Sequence, residues 1–519
     1  MGVRRITVVL IATIGASGLF QGSPAARGPC RFERGVLTIS PRGDDRSVEV
    51  RRGSKGEIRY WVGRDPSQAP GPGATCGSPR ATVRNTDRIV IGRSERPWYL
   101  AVTIDLSGGP FAPGRTSETG LSEIEWRIDI GRPDMAEGIH VSGSAGDDTI
   151  VAGERGVALN RDLDADVTLA RVPTTSAPAF SAFGGPGDDF LSSEGGFGTG
   201  APATWARSGL TGGLGDDRLT AGPASASLHG NEGADFLRGG VGDDYLMGGE
   251  GPDVLLGGAG VDESSYYGYG GEHEGVEVDL ASGVSRGGNA EGDTIAEVEN
   301  LAGTLGSDRL SGDEGPNTIN GFSEYDWIAG RGGDDRLDGG GPFPGDYNPR
   351  PGDEIDGGEG TDWAIYNGFA GVEINLVTGE HGGASAWMDV LISIENVQGS
   401  DYADRLVGDD GDNVLYGWGG NDVIVGNDGD DLEIGGAGDD VFDQGRFPNG
   451  GDEFWGDEPY GWATGEDTVD YSDRAGPVFV SRDDQANDGE LDEGDFFHDD
   501  VDHPEDTRGG FSNRALRLP

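Results

Sequence analysis

The sequence predicts an all-β protein, most of it a β-solenoid of short, stacked parallel strands. Three observations carry that prediction. A nine-residue unit recurs without slippage from Gly230 to Ser265. Hydrophobic residues make up only 34% of the chain against 98 glycines, too few for one large packed core. No long stretch shows a convincing helical period.

The nonapeptide reads Gly230-Asn-Glu-Gly-Ala-Asp235-Phe-Leu237-Arg, then repeats from Gly239, Gly248 and Gly257. Glycine opens each unit and aspartate is always sixth. An apolar residue is eighth in three of the four, with Ser264 in the last. Without this period, a net charge of -55 would read as disorder, because such a chain buries little apolar surface. A fixed period marks a solenoid, in which each unit contacts its neighbours. Glycines at the first, second and fourth positions permit a tight turn with positive φ. The triplet around the eighth residue forms a short strand with that residue inward. Two units make one 18-residue coil, and successive coils stack about 4.8 Å apart. This places Leu237 near Leu255, Leu228 near Leu246, Asp235 near Asp253 and Asp244 near Asp262.

Composition divides the chain further. Residues 1–25 read as a secretory signal peptide: Arg4 and Arg5, an apolar run from Ile6 to Phe20, then small residues at Ser23–Ala25. Residues 27–141 read as a β-rich N-terminal segment, with short strands around Val36–Ser40, Ile58–Val62, Arg88–Ile91 and Tyr99–Ile104. Cys30 and Cys76 are the only cysteines, and export favours a disulfide between them over two free thiols. Residues 142–211 hold two isolated units, with Asp148 and Asp189 sixth. Longer blocks follow at 212–265, 303–365 and 399–443. Their connectors, 266–302 and 366–398, match each other at Gly275–Leu280 with Gly371–Leu376, so both are expected to be structured. The unit Gly339–Tyr347 keeps its length but has Pro344 sixth, so its site is expected to be lost. Residues 444–519 read as an acidic, mobile tail, with a third connector beginning at Asp467–Ser472.

Stacked carboxylates set the chemistry. Two unit charges about 5 Å apart repel by roughly 3 kcal/mol at an effective dielectric near 20. A divalent cation between coils removes that repulsion and uses turn carbonyls as further ligands. Oxygen-only ligands indicate a hard ion, and calcium accepts six to eight oxygens in irregular geometry. The candidate ligands are the sixth residues: Asp148, Asp189, Asp217, Asp235, Asp244, Asp253, Asp262, Asp308, Asn317, Asp326, Asp335, Asp353, Asp362, Asp404, Asn413, Asp422, Asp431 and Asp440. The bland alternative is that they are solvated turn residues, since Asp and Gly favour turns anyway. Glu433 replaces the inward apolar residue, so its coil is expected to be weak or shifted in register.

These units resemble the repeats-in-toxin (RTX) family, the hemolysin-type calcium-binding repeats, whose consensus is G-G-x-G-x-D-x-apolar-x. The longer signature D-x-[LI]-x4-G-x-D-x-[LI]-x-G-G-x3-D is met by Asp235, Leu237, Gly242, Asp244, Leu246, Gly248, Gly249 and Asp253. The resemblance spans roughly Gly143 to Asp443. It implies a right-handed parallel β-roll with Ca2+ held in the turns, which folds after export into extracellular calcium. An N-terminal signal suggests general secretion, whereas toxins of the family use a C-terminal one.

Other motifs are weaker. Gly283-Val-Ser285-Arg-Gly287 matches a hydrolase elbow, but that chemistry needs a strand-to-helix turn and partner His and acid. His381 holds the same place in the second connector. His498 and His503 flank acidic residues without a usual zinc spacing, and Asp484–Asp495 only loosely matches a calcium-loop pattern. No catalytic residue or enzyme activity is expected. The acidity disfavours nucleic acid and anionic membranes as partners, and no apolar run after the N-terminus is long enough to span a bilayer. Calcium ions are the expected partner. A secreted hydrolase carrying an RTX module, or a calcium-dependent surface adhesin or matrix component that self-associates, is the alternative.

Overall fold

A computed structural model describes residues 6–9, most of 29–63, 73–77, parts of 81–91, 101–108, 124–128, 467–471 and 495–498. From 138 to 456 it describes all but 160–164, 170–178, 198, 203–206, 269–273, 342–351, 369, 380, 384–385, 387 and 447–448. Among the described residues strands dominate, and the helical content is one 3-10 turn at Gly288–Ala290. The chain divides into two compact units. One comprises Met1–Ser264 with Gly292–Val298, the other Ser265–Glu291 with Glu299–Pro519.

The first unit is a parallel β-solenoid. One stack of strands runs through Ser47–Arg52, Ala101–Asp105, Gly138–Ser142, Ala179–Pro186, Ser208–Leu214, Ala226–Glu232 and Tyr245–Glu250. Its inward column is Val50, Ile104, Val141, Ala182, Leu210, Leu228 and Leu246, all buried. The last two steps, from Leu210 to Leu228 and from Leu228 to Leu246, are each one regular coil of two nonapeptides. The earlier steps, from Val50 through Ile104, Val141 and Ala182 to Leu210, are all longer and all different. The segment 27–141, read from sequence as a separate lead-in, thus supplies strands to the same stack. Excursions of unequal length hide its period. One of them is the strand Ile58–Gly63, which folds back antiparallel on Ser47–Arg52.

The second stack passes through Thr149–Gly153, Phe190–Ser192, Arg218–Thr220, Phe236–Gly240, Val254–Gly258 and Thr294–Ala296. Leu219, Leu237 and Leu255 lie over one another, each fully buried. Towards the N-terminus, Val36–Ile39, Arg88–Ile91, Ile124–Ile128 and Val167–Leu169 stack Leu37, Ile89, Trp126 and Val167 in the same manner. Cys30 and Cys76 form a disulfide, with Cα atoms 6.1 Å apart. Of the stretch 1–25, only Ile6–Val9 is described, as a strand parallel to Ile124–Arg127. The rest of the proposed signal lies outside the described residues.

The second unit repeats the plan. Asn300–Ala302, Thr318–Asn320, Arg336–Asp338, Trp363–Ile365, Asn396–Gln398, Val414–Tyr416 and Leu432–Ile434 form one parallel stack. Glu277–Asp279, Arg309–Ser311, Trp327–Gly332, Glu354–Glu359 and Val390–Ile392 form a second. Val372–Asn375, Arg405–Val407, Val423–Val425 and Val441–Asp443 form a third. Where the unit with Pro344 falls, the step from Ile328 to Ile355 exceeds a regular coil by one nonapeptide, and 342–351 lie outside the described residues.

Two expectations need correction here. Glu433 keeps register: it pairs between Leu415 and Phe454 and is fully buried. Its carboxyl is held by polar neighbours inside the coil, so the strand need not shift. Residues 444–519, read as a tail, contain Glu453–Trp455, Thr468–Asp470 and Phe496–His498, which extend the stacks in parallel. Glycine thins out there, but the pattern of a carboxylate two residues before an apolar residue persists and continues the coils.

Candidate metal centre

The turn between strands places the sixth-position aspartate. In each coil the backbone N–H of one such residue donates to Oδ1 of its counterpart in the next coil. Asp217 donates to Asp235 (2.7 Å) and Asp235 to Asp253 (2.8 Å). On the other turn, Asp244 donates to Asp262 (2.7 Å). Asp308 to Asp326 and Asp404 to Asp422 to Asp440 follow the same geometry, each at 2.8 Å. The side chains are therefore vertically stacked, as a coil of two nonapeptides requires.

The second oxygen has a different fate. Among the described residues, Oδ2 of Asp217, Asp235, Asp244, Asp253, Asp326 and Asp422 is buried without a hydrogen-bond partner. An isolated buried carboxylate oxygen is costly. Each such oxygen faces the first glycine of its own unit. A methyl group on Gly230 would fall 2.2 Å from Asp235 Oδ2 and 2.5 Å from the Gly248 carbonyl oxygen. At Gly239 the corresponding distances are 2.4 Å to Asp244 Oδ2 and 2.4 Å to the Gly257 carbonyl. The first glycine thus keeps open a cradle where a carboxylate oxygen and a turn carbonyl converge. In many units the second position is left-handed, with or without glycine: Gly240 has φ 129°, and Asn231, Arg331 and Trp418 have φ 83°, 81° and 73°. That conformation costs an L-residue about 1–2 kcal/mol.

Electrostatics points the same way. Burial, above all, pushes the Asp253 carboxyl up to about 8, and the carboxylates of Asp293 and Asp235 push it further in that direction. Asp217 and Asp244 are raised to about 7, Asp422 to about 8 and Asp326 to about 10, burial again being the main cause. Without a counter-charge these groups resist ionisation at neutral pH. An oxygen-only donor set, negative charge and orphaned acceptors fit a hard divalent cation such as calcium.

Family comparison reaches the same repeats. The RTX calcium-binding nonapeptide repeat matches residues 140–154, 229–263, 302–324, 323–341 and 398–433. The chain carries RTX-type calcium-binding nonapeptide repeats. A search of the curated proteins finds no match to the chain.

The RTX carboxylates sort into ladders. Asp148 and Asp189, isolated in the sequence, head the ladder that continues through Asp217, Asp235 and Asp253. Asp148 is half-exposed, while the others are buried. In the second unit, Asp308, Asp326 and Asp353 form one ladder, and Asn317, Asp335 and Asp362 another. Asp404, Asp422 and Asp440 form a third, and Asn413 precedes Asp431 in a fourth. Asn317 and Asn413 turn their amide oxygen to the first glycine and accept from Asp313 and Asp409. Their amide nitrogens donate to the Glu299 and Glu395 carbonyls. Each therefore presents an oxygen to the turn and still fastens two coils.

Sequence reading missed the ladder ends. Asp293 accepts from Asp253, Asp389 from Asp353, Glu395 from Asp362, Asp452 from Asp431, Asp467 from Asp440 and Asp495 from Asp452. The usable signal was the carboxylate two residues before an apolar one, as in Asp293–Ile295, Asp389–Leu391 and Asp467–Val469. Ser285 lies in mid-strand in an antiparallel hairpin opposite Val278, and it is buried. A nucleophile elbow would instead set it on a strand-to-helix turn. His503 and Asp484 lie outside the described residues, as does the side chain of His498. Among the described residues, no helix is long and apolar enough to cross a membrane.

Proposed function

We propose that this protein is secreted and that its RTX turns take up extracellular Ca2+ to complete folding. The observation that carries the reading is the buried, unpartnered Oδ2 repeated from coil to coil beside a turn carbonyl. When bound, calcium would supply the positive charge that these stacked carboxylates otherwise lack. Asp235, Asp244, Asp253 and their counterparts would provide carboxylate oxygens, and the first-position glycines would provide carbonyls and space. Each buried oxygen left bare opposes folding, so an ion that binds only the folded coils stabilises them by mass action.

The basic and apolar N-terminal run supports export, and the Cys30–Cys76 disulfide suits an oxidising compartment. Extracellular calcium is abundant enough to saturate weak sites, which makes folding after export a natural consequence. We read the chain as a binding protein without catalysis. The test is a calcium titration of the mature full-length chain, followed by circular dichroism and calorimetric ion counting. Strand signal and bound ions should rise together. A chain already fully folded in chelator, with no ions taken up, overturns the reading.

A further inference from the structure

Glu433 stands in the inward column where Leu415 stands one coil before and Phe454 one coil after. It is fully buried, as are Asp431 and Asp452. A carboxylate oxygen of each lies within 4.8 Å of the other two. Hydrogen bonds account for part of this set. Glu433 Oε1 accepts from Gly426 N (3.1 Å) and Gln444 Nε2 (3.2 Å). Asp431 Oδ1 accepts from Asn413 N (2.8 Å), and Asp452 Oδ1 from Asp431 N (3.1 Å). Asn449 Nδ2 donates to Asp452 Oδ2 (3.0 Å) and Gln444 Oε1 (2.9 Å). Among the described residues, Glu433 Oε2 and Asp431 Oδ2 remain buried without a partner. Among the described ion pairs, none involves Asp431 or Glu433.

We propose that Asp431, Glu433 and Asp452 hold one divalent cation of the calcium type that reaches from the turn into the coil interior, with Glu433 as a ligand drawn from the core column. Two oxygens that each sit about 2.5 Å from a calcium ion are at most about 5 Å apart, so a single ion spans the set. A buried acid in a column where Leu415 and Phe454 flank it, set beside two turn carboxylates, has no apolar role. Gln444 and Asn449 use their amide groups to orient the carboxylates and leave the two bare oxygens for the ion. The site differs from the repeated turns, where the eighth residue is apolar and takes no part. Asp431 and Asp452, successive members of one turn ladder, are shared by the two, and Glu433 is what sets the inner site apart.

The proposal rests on calcium being the ion of the repeats, and ion counting separates the two claims. Bound Ca2+ per full-length chain is measured by equilibrium dialysis at saturation for wild type, Glu433→Gln, Glu433→Leu and Asp452→Asn. Each variant should bind one ion fewer than wild type with its strand signal intact. Glu433→Leu restores the residue other coils carry, so it keeps the comparison usable where Glu433→Gln fails to fold. An unchanged count in Glu433→Leu overturns the inner site and leaves the turn sites standing, since Glu433 is then a hydrogen-bonded acid in the core. A wild-type chain that binds no calcium removes both.

Discussion

The backbone N–H of Asp235 donates to Oδ1 of Asp253 at 2.8 Å, while Oδ2 of Asp253 lies buried against Gly248 with no partner. One side chain therefore fastens two coils with one oxygen and leaves the other bare, the oxygen that the proposed function gives to a cation. On that proposal folding and ion binding share an atom group, which makes their energetics inseparable at this position.

Substitution at Asp253 separates the two roles. Asn317 shows what an amide does there: its oxygen still faces the turn and its nitrogen ties to the Glu299 carbonyl. Asp253→Asn is expected to keep the fastening and weaken the charge, raising the calcium midpoint a few-fold. Asp253→Ala removes both, and loss of about 1.4 kcal/mol or more corresponds to at least a tenfold rise. Calcium-dependent circular dichroism reads both midpoints. Equal midpoints for wild type and Asp253→Ala would mean that this carboxylate is not a ligand.

Acid should act in opposite directions with and without calcium. The ordinary carboxyl value is 3.8, and in the calcium-free fold Asp217 and Asp244 stand at about 7 and Asp253 at about 8. Between those limits the folded chain binds more protons than the unfolded chain. Stability of the calcium-free fold is therefore greatest below the unfolded value and is lost as pH rises through about 8. In chelator, acidification from pH 8 to 5 should increase strand signal and raise the melting temperature. With calcium present, protons compete for the same oxygens and the calcium midpoint should rise over the same interval. A calcium midpoint independent of pH contradicts the assignment.

How far the sequence disclosed this arrangement depends on the coil length. Between Leu210 and Leu255 every coil holds two nonapeptides, so Leu237 over Leu255 and Asp244 over Asp262 follow from spacing alone. Between Val50 and Leu210 the same column exists, but loops of varying length separate its members and no period survives to be read. The ladder ends were hidden for another reason. Asp293 and Asp389 lie in connectors without the glycine turn, since a ladder end needs a carboxylate but not the tight double turn below it. Glu433 was visible as an exception. What was not visible is its company, because Asp452 lies in the following coil, 21 residues after Asp431, where the nonapeptide spacing is broken.

Glycine at the first position should be irreplaceable for a steric reason. Gly239→Ala would set a methyl 2.4 Å from both Asp244 Oδ2 and the Gly257 carbonyl, filling the cradle with backbone on one side. Overpacking of this kind costs about 1–3 kcal/mol, and here the displaced atoms are the proposed ligands. The calcium midpoint should rise about tenfold. Gly146 has open space around its missing side chain, so Gly146→Ala is the matched control and should leave the midpoint unchanged. If both variants titrate like wild type, the cradle is not where the ion binds.

The disulfide should stabilise the opposite end of the first unit, independently of calcium. Cys30 lies on a strand paired antiparallel with Val36–Ile39, the second stack's N-terminal strand there. Cys76 follows Ala74–Thr75, which pairs with Ile58–Gly63 and through it with Ser47–Arg52 of the first stack. The bridge therefore joins strands that belong to both stacks, across a sequence separation of 46 residues. Closing a loop of that length removes about 4 kcal/mol of chain entropy from the unfolded state. In a solenoid each coil depends mainly on its neighbours, so the effect should stay local. Cys76→Ser is expected to speed amide exchange in Val36–Ile39 and Ser47–Arg52 by up to roughly a thousandfold, with the calcium midpoint of the later repeats unchanged. Exchange that is equally slow with and without the bridge would show that packing of Leu37, Ile89 and Trp126 holds this end by itself.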